Sequence, residues 1–167
     1  KFEKVNLPNG QLLQSGGFLT QASILAITSN ATRTSPVKRG RWVLDNILGA
    51  PPKDPPPGIT DLEDFENHNS ASLSLREQMA IHSKNSSCSS CHASMDAMGY
   101  TMENFDAIGK WRDLENGRPV NSNGRLGSGE EFNGVEDLKT FIVQKYMRDC
   151  KYLQKSEAAA REQFVPQ

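Results

Sequence analysis

Hydrophobic residues recur at helical spacing in several separate stretches of this chain, two of them before residue 50. The spacing predicts a short helix over residues 18–28 and a second helix that follows Ser35. Ser35 is a typical N-cap residue, Pro36 suits the first helical turn, and Gly49 suits the position just after the helix. The proline-rich residues 51–58 then predict an extended connector.

Three more stretches of apolar periodicity follow this connector. The spacing predicts a helix over residues 72–84, with Leu75, Met79 and His82 on one face. It also predicts a break at Gly99, a helical patch over residues 102–109, and a strongly amphipathic helix over residues 136–147.

The segment between the last two helices is rich in turn signals. Residues 117–134 contain or adjoin Asn116-Gly117, Asn123-Gly124 and Asn133-Gly134, which predict tight turns and at most one small β-hairpin. The predicted fold class is therefore mainly α with long ordered loops.

Composition narrows the classes of protein further. The chain has 167 residues, enough for one domain with its own core, and 13 Gly with 9 Pro agree with a loop-rich fold. Its 19 basic and 20 acidic residues nearly cancel, which argues against nucleic acid or an acidic membrane surface as the main partner. No apolar run approaches the length of a membrane span.

The candidate chemistry lies in five consecutive residues, Cys88-Ser89-Ser90-Cys91-His92. C-x-x-C-H is the attachment signature of c-type haem. The thiols of Cys88 and Cys91 would each form a thioether with a porphyrin vinyl group, and the His92 imidazole would be the proximal ligand of the iron. The predicted cofactor is one covalently attached haem c.

Three other interpretations of the motif stay open. A redox disulfide between Cys88 and Cys91 would require a low-pKa thiolate and a βαβ setting, which the Ser-rich surroundings do not indicate. A structural zinc site would need a fourth ligand besides the motif, and only His68, His82 and Cys150 remain. The third interpretation is a chance match.

Sequence blocks on both sides of the motif resemble a known family. Residues 19–25, 32–44 and 95–112 resemble the cytochrome-like module of the large secreted planctomycete-type cytochrome c proteins, and residues 117–150 resemble the small domain that usually follows it. This chain has Ala97-Met98 where the family commonly has Pro-Leu, and it lacks the leucine-rich ending of the following domain. The resemblance implies a cytochrome c-like domain that carries haem and transfers electrons.

We therefore expect residues 1–115 to form a haem c-binding domain and residues 116–167 a C-terminal helical extension packed on it. The sixth iron ligand decides between an electron carrier and a catalyst. His82 is the first candidate: the resembling family usually has a histidine there, and six residues of extended chain span about 20 Å, enough to pass the porphyrin edge. The alternative role of His82 is a partly buried hydrogen-bonding partner.

Methionine is the alternative sixth ligand. Met98, beyond the predicted break at Gly99, would reach the iron better than Met95, whose tether to His92 is short. Met102 and Met147 lie among apolar residues and are expected in the core.

The haem propionates require hydrogen-bond donors, since a carboxylate is costly to bury without them. The blocks around the motif offer five candidate pocket residues: Arg33, Arg41, Trp42, Trp111 and Arg112. Two roles are open for Glu103 and Asp106: they could orient these arginines or take part in chemistry.

The expected function is single-electron transfer by a monohaem domain within a larger exported protein, in the periplasm or outside the cell. Its partner would be a redox protein or an adjacent domain of the same polypeptide. Two alternatives are a haem enzyme of peroxidase type, with His82 as a distal acid and base, and a zinc-stabilised interaction module.

Overall fold

The computed structural model describes residues 17–53, 73–82 and 86–148, and about half of these residues are helical. The side chains of residues 82, 86–88, 90 and 91 lie outside this description. A 3₁₀ turn at Phe18–Thr20 leads into α1, Ala22–Ile27. The next helices are α2, Pro36–Asn46, α3, Leu75–His82, and α4, Ser86–Tyr100. Helix α5 covers residues 135–148. The prediction of a mainly α chain is confirmed.

The start of α2 follows from two residues, as predicted. The Ser35 hydroxyl accepts a hydrogen bond from the Lys38 N–H at 3.3 Å, and Pro36 occupies the first turn, where its missing N–H needs no partner. The last helical residue is Asn46, and Gly49 follows with φ 59° instead of capping the helix directly.

Helix α3 begins with a capping box. The Ser74 N–H and hydroxyl donate to Glu77 Oε2 at 2.7 and 2.8 Å, and the Glu77 N–H donates to Ser74 Oγ at 3.3 Å. Leu75 and Met79 are buried, which confirms the predicted apolar face for these two residues. The proline-rich connector is described only as far as residue 53.

The predicted break lies within one residue of the observed end of α4 at Tyr100, although Gly99 itself is still helical. A Cβ on Gly99 would lie less than 3.0 Å from three backbone atoms of Pro36, and a Cβ on Gly40 would meet Met95 in the same way. Both glycines therefore let the backbones of α2 and α4 approach closely where these helices cross.

The predicted helical patch over residues 102–109 is also wrong. Residues 101–104 form turns, and the Asp106 carboxylate accepts the N–H groups of Ile108 and Lys110 at 3.0 and 2.8 Å. This local hydrogen bonding replaces the helical pattern. Met102 and Phe105 are buried as predicted, whereas Ile108 is 72% exposed.

Two small β-hairpins follow, one more than predicted. Strands β1, Leu114–Glu115, and β2, Arg118–Pro119, flank a tight turn in which Asn116 and Gly117 both have positive φ, 50° and 76°.

The second hairpin pairs β3, Asn123–Arg125, with β4, Glu131–Asn133. The predicted turn at Asn123-Gly124 is therefore wrong. Gly124 pairs with Phe132, and a Cβ there would collide with the Ala97 carbonyl group of α4. Position 124 is a glycine because β3 packs directly against α4, which leaves no room there for a side chain.

One hydrophobic core joins α2 and α4 to the elements around them, and it includes residues on both sides of position 115. Its fully buried members are Leu25, Val43, Phe105 and Leu138, with Phe132 and Val135 beside them. Met147, expected in the core, is 57% exposed on the outer face of α5. None of the helices in the described ranges has the length and hydropathy to cross a bilayer.

Candidate functional site

The Cys88 to His92 motif lies in the first two turns of α4, so its backbone is helical. Residues 88, 91 and 92 are three and four positions apart, a spacing that places them on one face of a helix. The side chains of Cys88 and Cys91 lie outside the described set. The helix that carries the motif continues without interruption into the hydrophobic core.

His92 forms a hydrogen bond within the same helix. Its Nδ1 lies 3.1 Å from Oδ1 of Asp96, and both side chains are largely buried, at 20% and 11% exposure. The hydrogen bond to Asp96 raises the pKa of His92, although burial opposes the rise. Because a carboxylate only accepts hydrogen bonds, Nδ1 carries a proton and the lone pair of a neutral ring lies on Nε2.

The chemistry of these donors is compatible with a c-type haem. A metal-ligating histidine almost always donates its other ring N–H to a carboxylate, a backbone carbonyl or water, and Asp96 holds that position for His92. Cys88 and Cys91 would supply the two thioethers, and His92 the proximal ligand through Nε2.

The candidates for the sixth ligand fall in two places. His82 is the last residue of α3, and its side chain lies outside the described residues. Met95 and Met98 are buried in the core at 7% and 2% exposure, on the same helix as His92. This packing favours a structural role for both methionines.

The first three pocket candidates lie on or just before α2. Arg33 donates to the Thr34 carbonyl at 3.2 Å. Arg41 forms an exposed ion pair with Asp45 at 3.4 Å. Trp42 is half-buried, packs against the core, and has its ring centroid 5.7 Å from that of Phe18.

The other two pocket candidates lie after α4. Trp111 packs edge-to-face on Phe105, with centroids 5.2 Å apart, and its Nε1 donates to Asp113 at 3.0 Å. Arg112 pairs with Glu103 at 3.1 Å and with Glu115 at 3.0 Å. The ion pair with Glu103 agrees with one of the two roles expected for Glu103, the orientation of an arginine.

The sequence analysis missed a buried arginine, Arg39, at the centre of this region. Its guanidinium donates to the carbonyls of Met102, Phe105 and Asp106, each at 2.7 Å, and pairs with Glu103 at 3.3 Å. Its side chain is 0% exposed. The available signal was its position on α2, four residues before the buried Val43 and therefore on the core-facing side.

Glu103 is the shared partner of this cluster. Its carboxylate lies against Arg39 and Arg112 and accepts the Thr34 hydroxyl at 2.6 Å. Burial raises the pKa of Glu103, while the charge of Arg39, the Thr34 hydroxyl and the charge of Arg112 oppose the rise. The cluster ties the loop after α4 to α2.

Among the residues that the structure describes, no three His, Cys, Asp or Glu side chains converge as a metal site. The thiols of Cys88 and Cys91 lie outside the described residues, so the zinc site stays one of the open interpretations of the motif.

Comparison with known proteins gives one family. Residues 15–115 match PSCyt3, described as a protein of unknown function (DUF1588) and associated with planctomycete cytochromes. The chain belongs to the PSCyt3 family. No curated protein and no solved structure gave a match.

The PSCyt3 match contains every candidate haem ligand and pocket residue, from Arg33 to Arg112. It confirms the expected resemblance as far as a cytochrome-associated family. It ends at residue 115, at the last residue of β1, although Phe132 and Leu138 beyond it belong to the same hydrophobic core.

Proposed function

We propose that this PSCyt3 chain is a monohaem c-type cytochrome module that transfers single electrons within a larger exported redox protein, in the periplasm or outside the cell. Residues 1–115 would be the haem c-binding domain, and residues 116–167 an extension packed on it. The observation that carries the proposal is the hydrogen bond between His92 Nδ1 and Asp96. His92 directly follows Cys91, and all three residues lie on α4.

The roles of the motif residues follow from their chemistry. Cys88 and Cys91 would hold the porphyrin through two thioethers, each formed by addition of one S–H across one vinyl group, with the hydrogen taken up by the neighbouring carbon and no atom lost. His92 would hold the iron through Nε2. When bound, the haem supplies a ferric/ferrous couple that accepts and releases one electron.

His82 is the proposed sixth ligand. Helix α3, on which it lies, packs on α4 through Met79, whose sulfur lies 3.8 Å from the Tyr100 hydroxyl. We expect His82→Ala to convert a low-spin haem to a high-spin one, with His68→Ala as the control. An unchanged spectrum and potential would assign the sixth position to another residue.

Production together with a cytochrome c maturation system tests the proposal directly. The protein is expected to be red, to give the visible spectrum of a haem with two thioethers, and to gain the mass of one whole haem. Cys88→Ser with Cys91→Ser should abolish attachment, whereas Cys150→Ser should not. A colourless protein of bare polypeptide mass would refute the proposal, and zinc in that protein would support the interaction module instead.

A haem enzyme of peroxidase type is the second candidate, because the same His92–Asp96 pair would also suit the proximal side of such an enzyme. A carboxylate partner increases electron donation from a proximal histidine, and haem enzymes use this to activate substrates at an open distal position. Cyanide and carbon monoxide separate the two candidates. Rapid binding of both would support the enzyme, and a low-spin haem that binds neither would support the electron carrier.

A further inference from the structure

Asp96 is a nearly buried carboxylate whose hydrogen-bond partner among the described residues is His92. It is 8% exposed as a residue, and its Oδ1 lies 3.1 Å from Nδ1 of His92. A buried carboxylate is unfavourable unless it is paired, so this hydrogen bond is what makes burial of Asp96 tolerable.

The position of this carboxylate is fixed by the backbone. Asp96 follows His92 by four residues on α4, which places it one turn further along the same face. Its neighbours Met95 and Ala97 are buried, and the backbone at Met95 is in close contact with α2 at Gly40. The backbone of Asp96 is therefore held in place by the helix crossing, and its side chain is held by the hydrogen bond to His92.

We propose that Asp96 is a positioning residue that holds the His92 ring with Nε2 toward the haem iron and lowers the reduction potential of that iron. This inference rests on the proposed function. A carboxylate that accepts the Nδ1–H makes the imidazole a more basic ligand. A more basic ligand stabilises ferric iron more than ferrous iron, because the ferric ion carries the higher charge.

The expected change in reduction potential follows from the contribution of carboxylate partners to other metal sites. Loss of a carboxylate partner of a ligating histidine changes metal binding or activity by roughly tenfold or more. A tenfold change in the ferric/ferrous equilibrium constant corresponds to about 59 mV for a one-electron couple. We therefore expect Asp96→Asn to raise the midpoint potential by at least this amount.

The experiment compares the haem-loaded wild type, Asp96→Asn and Glu131→Gln by redox titration. Glu131 is a matched control because it is an exposed carboxylate paired with Arg125, so its replacement removes one negative charge away from His92. A rise in potential for Asp96→Asn, with Glu131→Gln unchanged, supports the proposal.

A second measurement needs no variant and covers the case in which Asp96→Asn does not fold. In the reduced, low-spin wild-type protein, the Nδ1–H proton of His92 should be visible by nuclear magnetic resonance, hydrogen-bonded and slow to exchange with water. Rapid exchange of this proton would overturn the proposal.

The outcomes separate the two proposals. A protein without haem refutes the proposed function and the role of Asp96 with it. A haem-loaded protein whose potential is the same in the wild type and Asp96→Asn refutes the role of Asp96 alone. Equal shifts for Asp96→Asn and Glu131→Gln would also overturn it, because the effect would then be a general charge effect.

Discussion

Replacement of Arg39 by methionine should destabilise this protein more than any exposed charge replacement. The guanidinium donates to three backbone carbonyls in the segment from Met102 to Asp106 and pairs with Glu103, and its side chain is 0% exposed. Methionine has similar length but donates nothing, so the Phe105 carbonyl loses its side-chain donor, and the Met102 and Asp106 carbonyls keep only the N–H groups of Phe105 and Gly109. Removal of one partner of a buried ion pair costs about 3–5 kcal/mol.

The hydrogen bonds to the carbonyls add to this value. Each bond from a charged donor contributes about 1.5–3 kcal/mol, although such losses overlap within one cluster. We therefore expect Arg39→Met to lower the free energy of unfolding by about 5 kcal/mol. This is the lower end of the total stability of ordinary domains, about 5–15 kcal/mol, so the variant should be partly unfolded at room temperature.

Urea unfolding followed by circular dichroism and by tryptophan fluorescence would measure the loss. Arg41→Met is the matched control, since Arg41 lies on the same helix, and its ion pair with Asp45 is exposed. We expect the control to lose about 1 kcal/mol or less. If the losses of Arg39→Met and Arg41→Met agreed within about 1 kcal/mol, Arg39 would not stabilise the loop after α4 as described.

Two further predictions concern the helix crossing and the start of α3. Gly40→Ala and Gly99→Ala should each lower the free energy of unfolding by about 1–3 kcal/mol through overpacking. Gly127→Ala, where a Cβ would have no neighbour within 4 Å, should change it little in urea unfolding, and equal losses at all three would contradict the close approach. The Ser74 N–H and hydroxyl lower the pKa of Glu77, so this carboxylate stabilises the fold above its unfolded pKa, and the contribution is lost as the pH falls through the lower folded pKa. Carboxyl resonances should show a Glu77 pKa that returns part of the way to the ordinary value in Ser74→Ala, because the backbone N–H of residue 74 remains; an unchanged value would exclude a contribution from the Ser74 hydroxyl.

The local features of this fold could be predicted from the sequence because they depend on neighbouring residues. The cap at Ser35, the apolar face of α3 at Leu75 and Met79, and the turn at Asn116-Gly117 are all set within a few positions. The motif at Cys88 and His92 was predictable for the same reason, since its five residues are consecutive.

The errors concern residues whose role depends on a distant partner. Gly99 was predicted to break a helix, and its packing against Pro36 cannot be seen from the residues beside it. Arg39 was overlooked because a charged residue is usually exposed, and its acceptors lie more than sixty residues away. Asp96 could have been found, because it follows His92 by four positions within one helix.

The crossing at Gly40 and Gly99 separates two kinds of evolutionary constraint. These glycines are required by the shape of the scaffold, whereas Cys88, Cys91 and His92 would be required by a cofactor. If the proposed redox task is correct, a descendant that abandoned it would be free to replace the cysteines while natural selection for folding still preserved both glycines. The pattern of substitutions among descendants could therefore reveal which of them retained the ancestral chemistry and which inherited only the framework.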